Sequence, residues 1–318
     1  AAFTADSPSP ITLTLDRWCP NLTVINVNGD ATSGQSATFT TSWTSTLTSA
    51  VISNGLIRLG VNAAGNLIVD DRSESSGGNL GTGLRYLPTN AEALSPGCWC
   101  EAWGLAGPAD SNPQVSAFAD QNLGGLRGGT VQSFSATATE ATSVVKVGDY
   151  TIKHTYHPSI DPRMYQVDVY VTGPGIFGPP IPYRRTLDFD VEPTPFDELM
   201  TIHVDPNDTA ITDSTNDGFA WPDPTTPLTD IGGARGSFTD FGPDDQGAAF
   251  DFILNPTPAG APTPQLTMFY GAGRSAADTQ AGLTAVGATS WAVGKPSSSP
   301  TEGTPNSFAF GYRHGALP

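Results

Sequence analysis

Two runs of eight residues constrain this chain more than any other feature: Tyr150-Thr151-Ile152-Lys153-His154-Thr155-Tyr156-His157 and Met164-Tyr165-Gln166-Val167-Asp168-Val169-Tyr170-Val171. Both read as strands, and they pair naturally with each other. The segment between them, Pro158-Ser159-Ile160-Asp161-Pro162, is a rigid turn. Together they predict an antiparallel hairpin. On such a strand His154 and His157 fall on opposite faces, which makes them poor joint ligands.

Similar short runs recur along the chain, and composition explains how they are joined. Of 318 residues only 14% are charged, whereas Gly 35 and Pro 28 supply many tight turns. The expected fold class is all-β: stacked antiparallel sheets in a β-sandwich or supersandwich, with long loops and little helix. Only Ser275 to Val286 reads as helical, and no repeat of fixed period points to a solenoid. Residues 1–50 read as an N-terminal extension and residues 51–318 as one large β-sandwich domain. Within the extension, Ile11-Thr12-Leu13-Thr14-Leu15 alternates cleanly behind a Pro-containing leader. It is a candidate donor strand, with Ile11, Leu13 and Leu15 as the side chains that would fill apolar slots in a neighbouring copy.

The net charge of −17 argues against nucleic acid and anionic membranes as partners and favours cations. No apolar run is long enough to span a bilayer. The start Ala1-Ala2-Phe3 has the form of a mature end left by signal-peptide cleavage, so an extracellular or cell-surface location is expected. Three cysteines suit an oxidising compartment. Either Cys19 bridges to Cys98 or Cys100, or Cys98 and Cys100 close a local ring. Cys98-Trp99-Cys100 lacks the two-residue spacer of a zinc knuckle. Asn21-Leu22-Thr23 and Asn207-Asp208-Thr209 match the glycosylation acceptor pattern, making covalent glycans at Asn21 and Asn207 candidate partners.

Charge is concentrated in Tyr183-Arg184-Arg185-Thr186-Leu187-Asp188-Phe189-Asp190-Val191-Glu192-Pro193. On a strand Asp188, Asp190 and Glu192 share one face, where anionic oxygens suit a hard cation such as Ca2+ or an acid and base pair for glycoside chemistry. Arg184 has the same parity and Arg185 is adjacent. The favoured expectation is therefore a salt-bridged, partly wet sheet face in which the acids pair with Arg184 or Arg185. No segment has the spacing of the twelve-residue calcium loop, so a Ca2+ site here would be irregular. No residue is assigned to catalysis, to a metal or to a cofactor. Trp99 and Trp103 flank Glu101 and could stack on a sugar, although a buried corner pinned by a disulfide is the favoured role.

Residues from about 54 to 310 resemble a family of secreted bacterial surface β-proteins of largely uncharacterised function. The segments that carry the likeness are Asn54-Gly55-Leu56-Ile57-Arg58-Leu59-Gly60-Val61, Gly83-Leu84-Arg85-Tyr86, Pro96-Gly97-Cys98-Trp99-Cys100-Glu101-Ala102-Trp103-Gly104, Tyr183-Arg184-Arg185 with Asp188-Phe189-Asp190-Val191-Glu192-Pro193-Thr194, and Gly303-Thr304-Pro305-Asn306-Ser307-Phe308. A looser similarity to the galactose-mutarotase type of β-supersandwich does not extend to that family's catalytic acid and base. The resemblance implies a surface location and no established activity. The resulting expectation is a non-enzymatic structural protein that assembles with copies of itself into a filament or fibril by strand donation. The alternative is a secreted carbohydrate-binding or carbohydrate-active domain.

Overall fold

The hairpin read across the rigid turn is present: Tyr150–Pro158 pairs antiparallel with Met164–Thr172, placing Ile152 opposite Val171 and Tyr156 opposite Val167. The structure is a computed structural model that describes residues 23–24, 41–42, 47–71, 81–111, 114–174, 179–229, 241–258 and 263–314. Ile11, Leu13, Leu15, Cys19 and Asn21 lie outside the described residues. The chain divides into two units, 1–46 and 47–318. In the first, Thr23–Val24 pairs with Thr41–Ser42.

The second unit is an all-β sandwich built on two large antiparallel sheets. One has nine strands in the order Thr130–Ala136, Ala141–Val147, Tyr150–Pro158, Met164–Thr172, Leu266–Gly273, Ser307–His314, Ser290–Pro296, Glu198–His203 and Phe241–Asp244. The other has six, in the order Gly125–Arg127, Ser116–Asp120, Ala102–Ala106, Ile181–Phe189, Gln246–Leu254 and Ile211–Thr215. Their inner faces meet in one core. Phe250 and Phe252 of the six-stranded sheet pack edge-on against Tyr312 of the nine-stranded sheet at 4.6 and 4.9 Å between ring centroids. Ser49–Ser53, Ile57–Asn62, Leu84–Tyr86 and Ala91–Glu92 form a smaller four-stranded sheet whose Ile57, Leu59 and Leu84 join the same core.

The segment read as helical forms the helix Ala276–Ala285, capped by Ser275, whose Oγ accepts from the Asp278 N–H at 3.2 Å. Leu283 packs with Met164, Phe269, Val293 and Ala309, so the helix covers the outer face of the nine-stranded sheet. Among the described residues no helix is long and apolar enough to cross a membrane.

Burial along the strands shows which faces are covered. Ala141–Val147 alternates strictly between buried and half-buried residues, as a strand with one wet face must. Ile181–Phe189 departs from this, with every residue but Pro182 buried. Its outer face lies under the loop that carries Trp221 to Thr226, and of the partly wet face expected at Arg184, Asp188, Asp190 and Glu192 the first three are buried and only Glu192 is half-buried.

Candidate functional site

The two arginines of the charged strand go to opposite sides, and neither meets the acids of its own strand. Arg184 donates from Nε and Nη2 to the two oxygens of Asp251, at 2.6 and 2.7 Å, a bidentate pair directly across the strand register. Its remaining N–H groups reach the carbonyls of Trp221, Asp223 and Thr226 and fasten the covering loop. The expected pairing with Asp188, Asp190 and Glu192 is thereby corrected. Arg184 and Asp188 share a face, but four residues of strand separate them by about 13 Å. A partner directly opposite on the next strand wins.

Arg185 points into the core and pairs with Glu101, its Nε donating to Oε1 at 2.6 Å. Both side chains are fully buried. The Tyr270 hydroxyl also donates to Glu101 Oε1, and the Leu67 N–H donates to Oε2, both at 2.5 Å. Arg185 Nη2 reaches the Tyr156 hydroxyl, which itself donates to the Gly65 carbonyl at 2.8 Å. The network thus joins both sheets and the turn at 62–67. Sequence reasoning missed Glu101 as the partner. Its one signal was a lone carboxylate in the apolar stretch Trp99 to Ala106.

His154 belongs to this interior. It stacks obliquely on Trp103 at 5.3 Å, meets the Tyr183 hydroxyl through Nε2 at 3.1 Å, and its Nδ1 has no partner among the described residues. Burial, aided by the Arg185 charge, holds its pKa well below the ordinary 6.5. Below pH 6.5 the unfolded chain therefore takes up a proton that the folded protein refuses, and stability falls as the pH drops. The expected loss is about 1.4 kcal/mol per pH unit until the folded-state pKa is reached. Comparing the wild type with His154→Gln by urea denaturation between pH 6.5 and 5 measures it. A constant difference between the two proteins across that range would refute the assignment.

The acids gather at one corner of the sandwich. Asp188, Glu198 and Asp245 bring carboxylate oxygens within 4.8 Å of one another; Asp188 and Glu198 are buried and Asp245 is exposed. Desolvation, reinforced by repulsion from Asp190, Asp245 and Glu198, pushes Asp188 up to about 9. Desolvation likewise raises Glu198 to about 8 and Asp190 to about 7. Asp190 Oδ2 accepts the Gly97 N–H at 3.1 Å, while Glu192 Oε2 accepts the Glu92 N–H at 2.8 Å. Gly97 permits that approach, because a Cβ there would sit 2.8 Å from both Asp190 oxygens.

Next to this corner Cys98 and Cys100 are joined by a disulfide, the local-ring alternative of the sequence reading. Trp103 is fully buried and donates from Nε1 to the Ala64 carbonyl, so it belongs to the interior and is no platform for a sugar. Trp99 is half-buried against the core. Asn207 is exposed, at the rim of a shallow depression of about 260 Å³ with Asp205, Asp208 and His314. A second hollow of about 80 Å³ lies by Cys100, Asp120 and Trp221. Both are smaller than the roughly 300–1,000 Å³ of a small-molecule site.

One edge of the nine-stranded sheet stands out. Thr130–Ala136 is seven residues long, carries no charge and no proline, and among the described residues pairs only with Ala141–Val147. Its Val131, Phe134 and Ala136 pack on the core yet stay half-buried, with a bulge between Val131 and Ser133. Neither a protein-family model nor a curated protein matches this chain.

Proposed function

We propose that this protein is an extracellular structural protein that assembles with copies of itself into a filament, the strand Ile11 to Leu15 of one copy adding to a sheet edge of the next. The observation that carries this reading is the uncharged edge Thr130–Ala136, with its half-buried Val131, Phe134 and Ala136. An open edge offers unpaired N–H and C=O groups, and proteins that stay monomeric commonly blunt such edges with lysine or proline. An added strand would satisfy those groups, and Ile11, Leu13 and Leu15 would complete the cover over the three half-buried side chains. Burying each is worth roughly 1.5–3 kcal/mol before ordering costs. Head-to-tail addition of this kind does not close on itself, so it builds a fibre. Covalent glycan at the exposed Asn207 would then decorate the surface of the polymer.

The carbohydrate-active alternative has less support. In the carboxylate cluster Asp188 and Glu198 are both buried, whereas a general acid must reach the glycosidic oxygen.

Removing residues 1–17 tests the reading by electron microscopy and sedimentation. The truncated protein is expected to stay folded and monomeric under conditions where the full chain forms filaments. Lysines at the exposed Gln132 and Ser135 of the full chain are expected to block growth as well. Filaments from the truncated protein would rule out donation by this strand, and normal growth of the lysine variant would rule out this edge.

A further inference from the structure

We propose that Asp188, Glu198 and Asp245 bind one divalent cation, Ca2+, which fastens the two large sheets of the sandwich to each other. The placement of the three residues carries the argument. Asp188 stands on Ile181–Phe189 of the six-stranded sheet, and Glu198 opens Glu198–His203 of the nine-stranded sheet. Asp245 is the single residue between Phe241–Asp244, an edge of the nine-stranded sheet, and Gln246–Leu254 of the six-stranded sheet. Glu198 lies opposite Asp244, and Asp188 lies opposite Gly247. The ladder on each side therefore fixes one ligand, and the residue that passes between the sheets supplies the third.

The buried ligands also lack the hydrogen bonds that such groups otherwise make. Asp188 is 2% exposed and its Oδ1 has no partner among the described residues. Its Oδ2 lies 3.4 Å from Cys98 Sγ, but a disulfide sulfur has no hydrogen to donate. Glu198, fully buried, uses Oε1 to accept the Gln246 N–H at 2.7 Å and leaves Oε2 without a partner among the described residues. Two enclosed carboxylates, each with an oxygen unpartnered among the described residues and each contributing an oxygen to the cluster with Asp245, ask for a positive charge.

Chemistry selects the ion. All three donors are hard carboxylate oxygens, which suit Ca2+, Mg2+ or Mn2+ and not the softer metals. Oxygens around one Ca2+ stand at about 2.3–2.6 Å from it, so no two of them lie more than about 5 Å apart. The three oxygens, all within 4.8 Å of one another, meet that limit without movement. Mg2+, with bonds of about 2.0–2.1 Å, demands near-ideal octahedral geometry and dehydrates reluctantly, so ligands held in place by two sheet ladders favour Ca2+. The exposed Asp245 leaves one side open for the waters that complete the shell.

The test uses the full chain stripped with EDTA, then titrated with CaCl2, with MgCl2 and with NaCl at matched ionic strength. Ca2+ is expected to bind with a Kd of about 10⁻⁴–10⁻³ M and to raise the Tm by several degrees at 5 mM. Mg2+ is expected to give a smaller shift and Na+ none. Asp245→Asn, at an exposed position, should leave the metal-free protein folded and abolish most of the Ca2+ shift. Terbium luminescence provides a second readout on the wild type and should be displaced by Ca2+. The proposal is overturned if the wild-type Tm is the same with and without 5 mM Ca2+, or if Asp245→Asn keeps the full shift. Both readouts are independent of filament formation, so they stand or fall apart from the assembly reading.

Discussion

Replacing Arg185 by Met is expected to destabilise the second unit by about 3–5 kcal/mol, a large part of the total stability of an ordinary domain. The cost comes from what is left behind. Glu101 would keep the hydrogen bonds from Tyr270 and the Leu67 N–H but lose the charge that balances it, in a place with no access to water. Glu101→Leu strands Arg185 in the same way and is expected to cost a similar amount. The double variant Arg185→Met, Glu101→Leu removes both charges, so its cost should be well below the sum of the two. Chemical denaturation of the four proteins measures the cycle. Single variants within 1 kcal/mol of the wild type, or a strictly additive double variant, would show that the pair does not act as a unit.

That network marks the boundary between what local pattern reveals and what it hides. The hairpin from Tyr150 to Thr172 and the helix after Ser275 were legible because both rest on neighbours a few residues away: two strand-like runs joined by a rigid turn in one case, a weak apolar face at helical spacing in the other. Parity correctly put Asp188 on the face of Arg184 and Arg185 on the other. It did not reveal what covers each face. Glu101 lies 84 residues from Arg185, and Asp251 lies 67 from Arg184, so both partners were set by the order of strands in the six-stranded sheet. The corner of acids was half visible for the same reason. Asp188 belonged to an evident charged strand, whereas Asp245 matters because the chain changes sheets there, and no spacing in the sequence records such a crossing.

The loop over Arg184 makes the second large effect predictable at a residue with no side chain. Gly104 sits opposite Arg184 in the sheet register, and a Cβ at this position would lie 1.9 Å from the Pro222 carbonyl oxygen and 2.8 Å from Pro224 Cδ. The obstacle is backbone, which cannot rotate away as the end of a flexible side chain can. Gly104→Ala therefore has to lift the loop or push the strand, and overpacking of this kind costs about 1–3 kcal/mol. A lifted loop carries a further penalty. Arg184 is fully buried and gives three of its hydrogen bonds to the Trp221, Asp223 and Thr226 carbonyls. Losing those acceptors leaves buried N–H groups of a charged side chain unmatched. Gly104→Ala is thus expected to lower stability by at least 2 kcal/mol in denaturation and to expose the segment 219–226 to limited proteolysis before the rest of the sandwich unfolds. Arg184→Met should produce the same early cleavage with the glycine in place, because it removes the fastening instead of the space. A Gly104→Ala protein within 0.5 kcal/mol of the wild type and equally resistant at this loop would show that the loop rides on the sheet without being held by it.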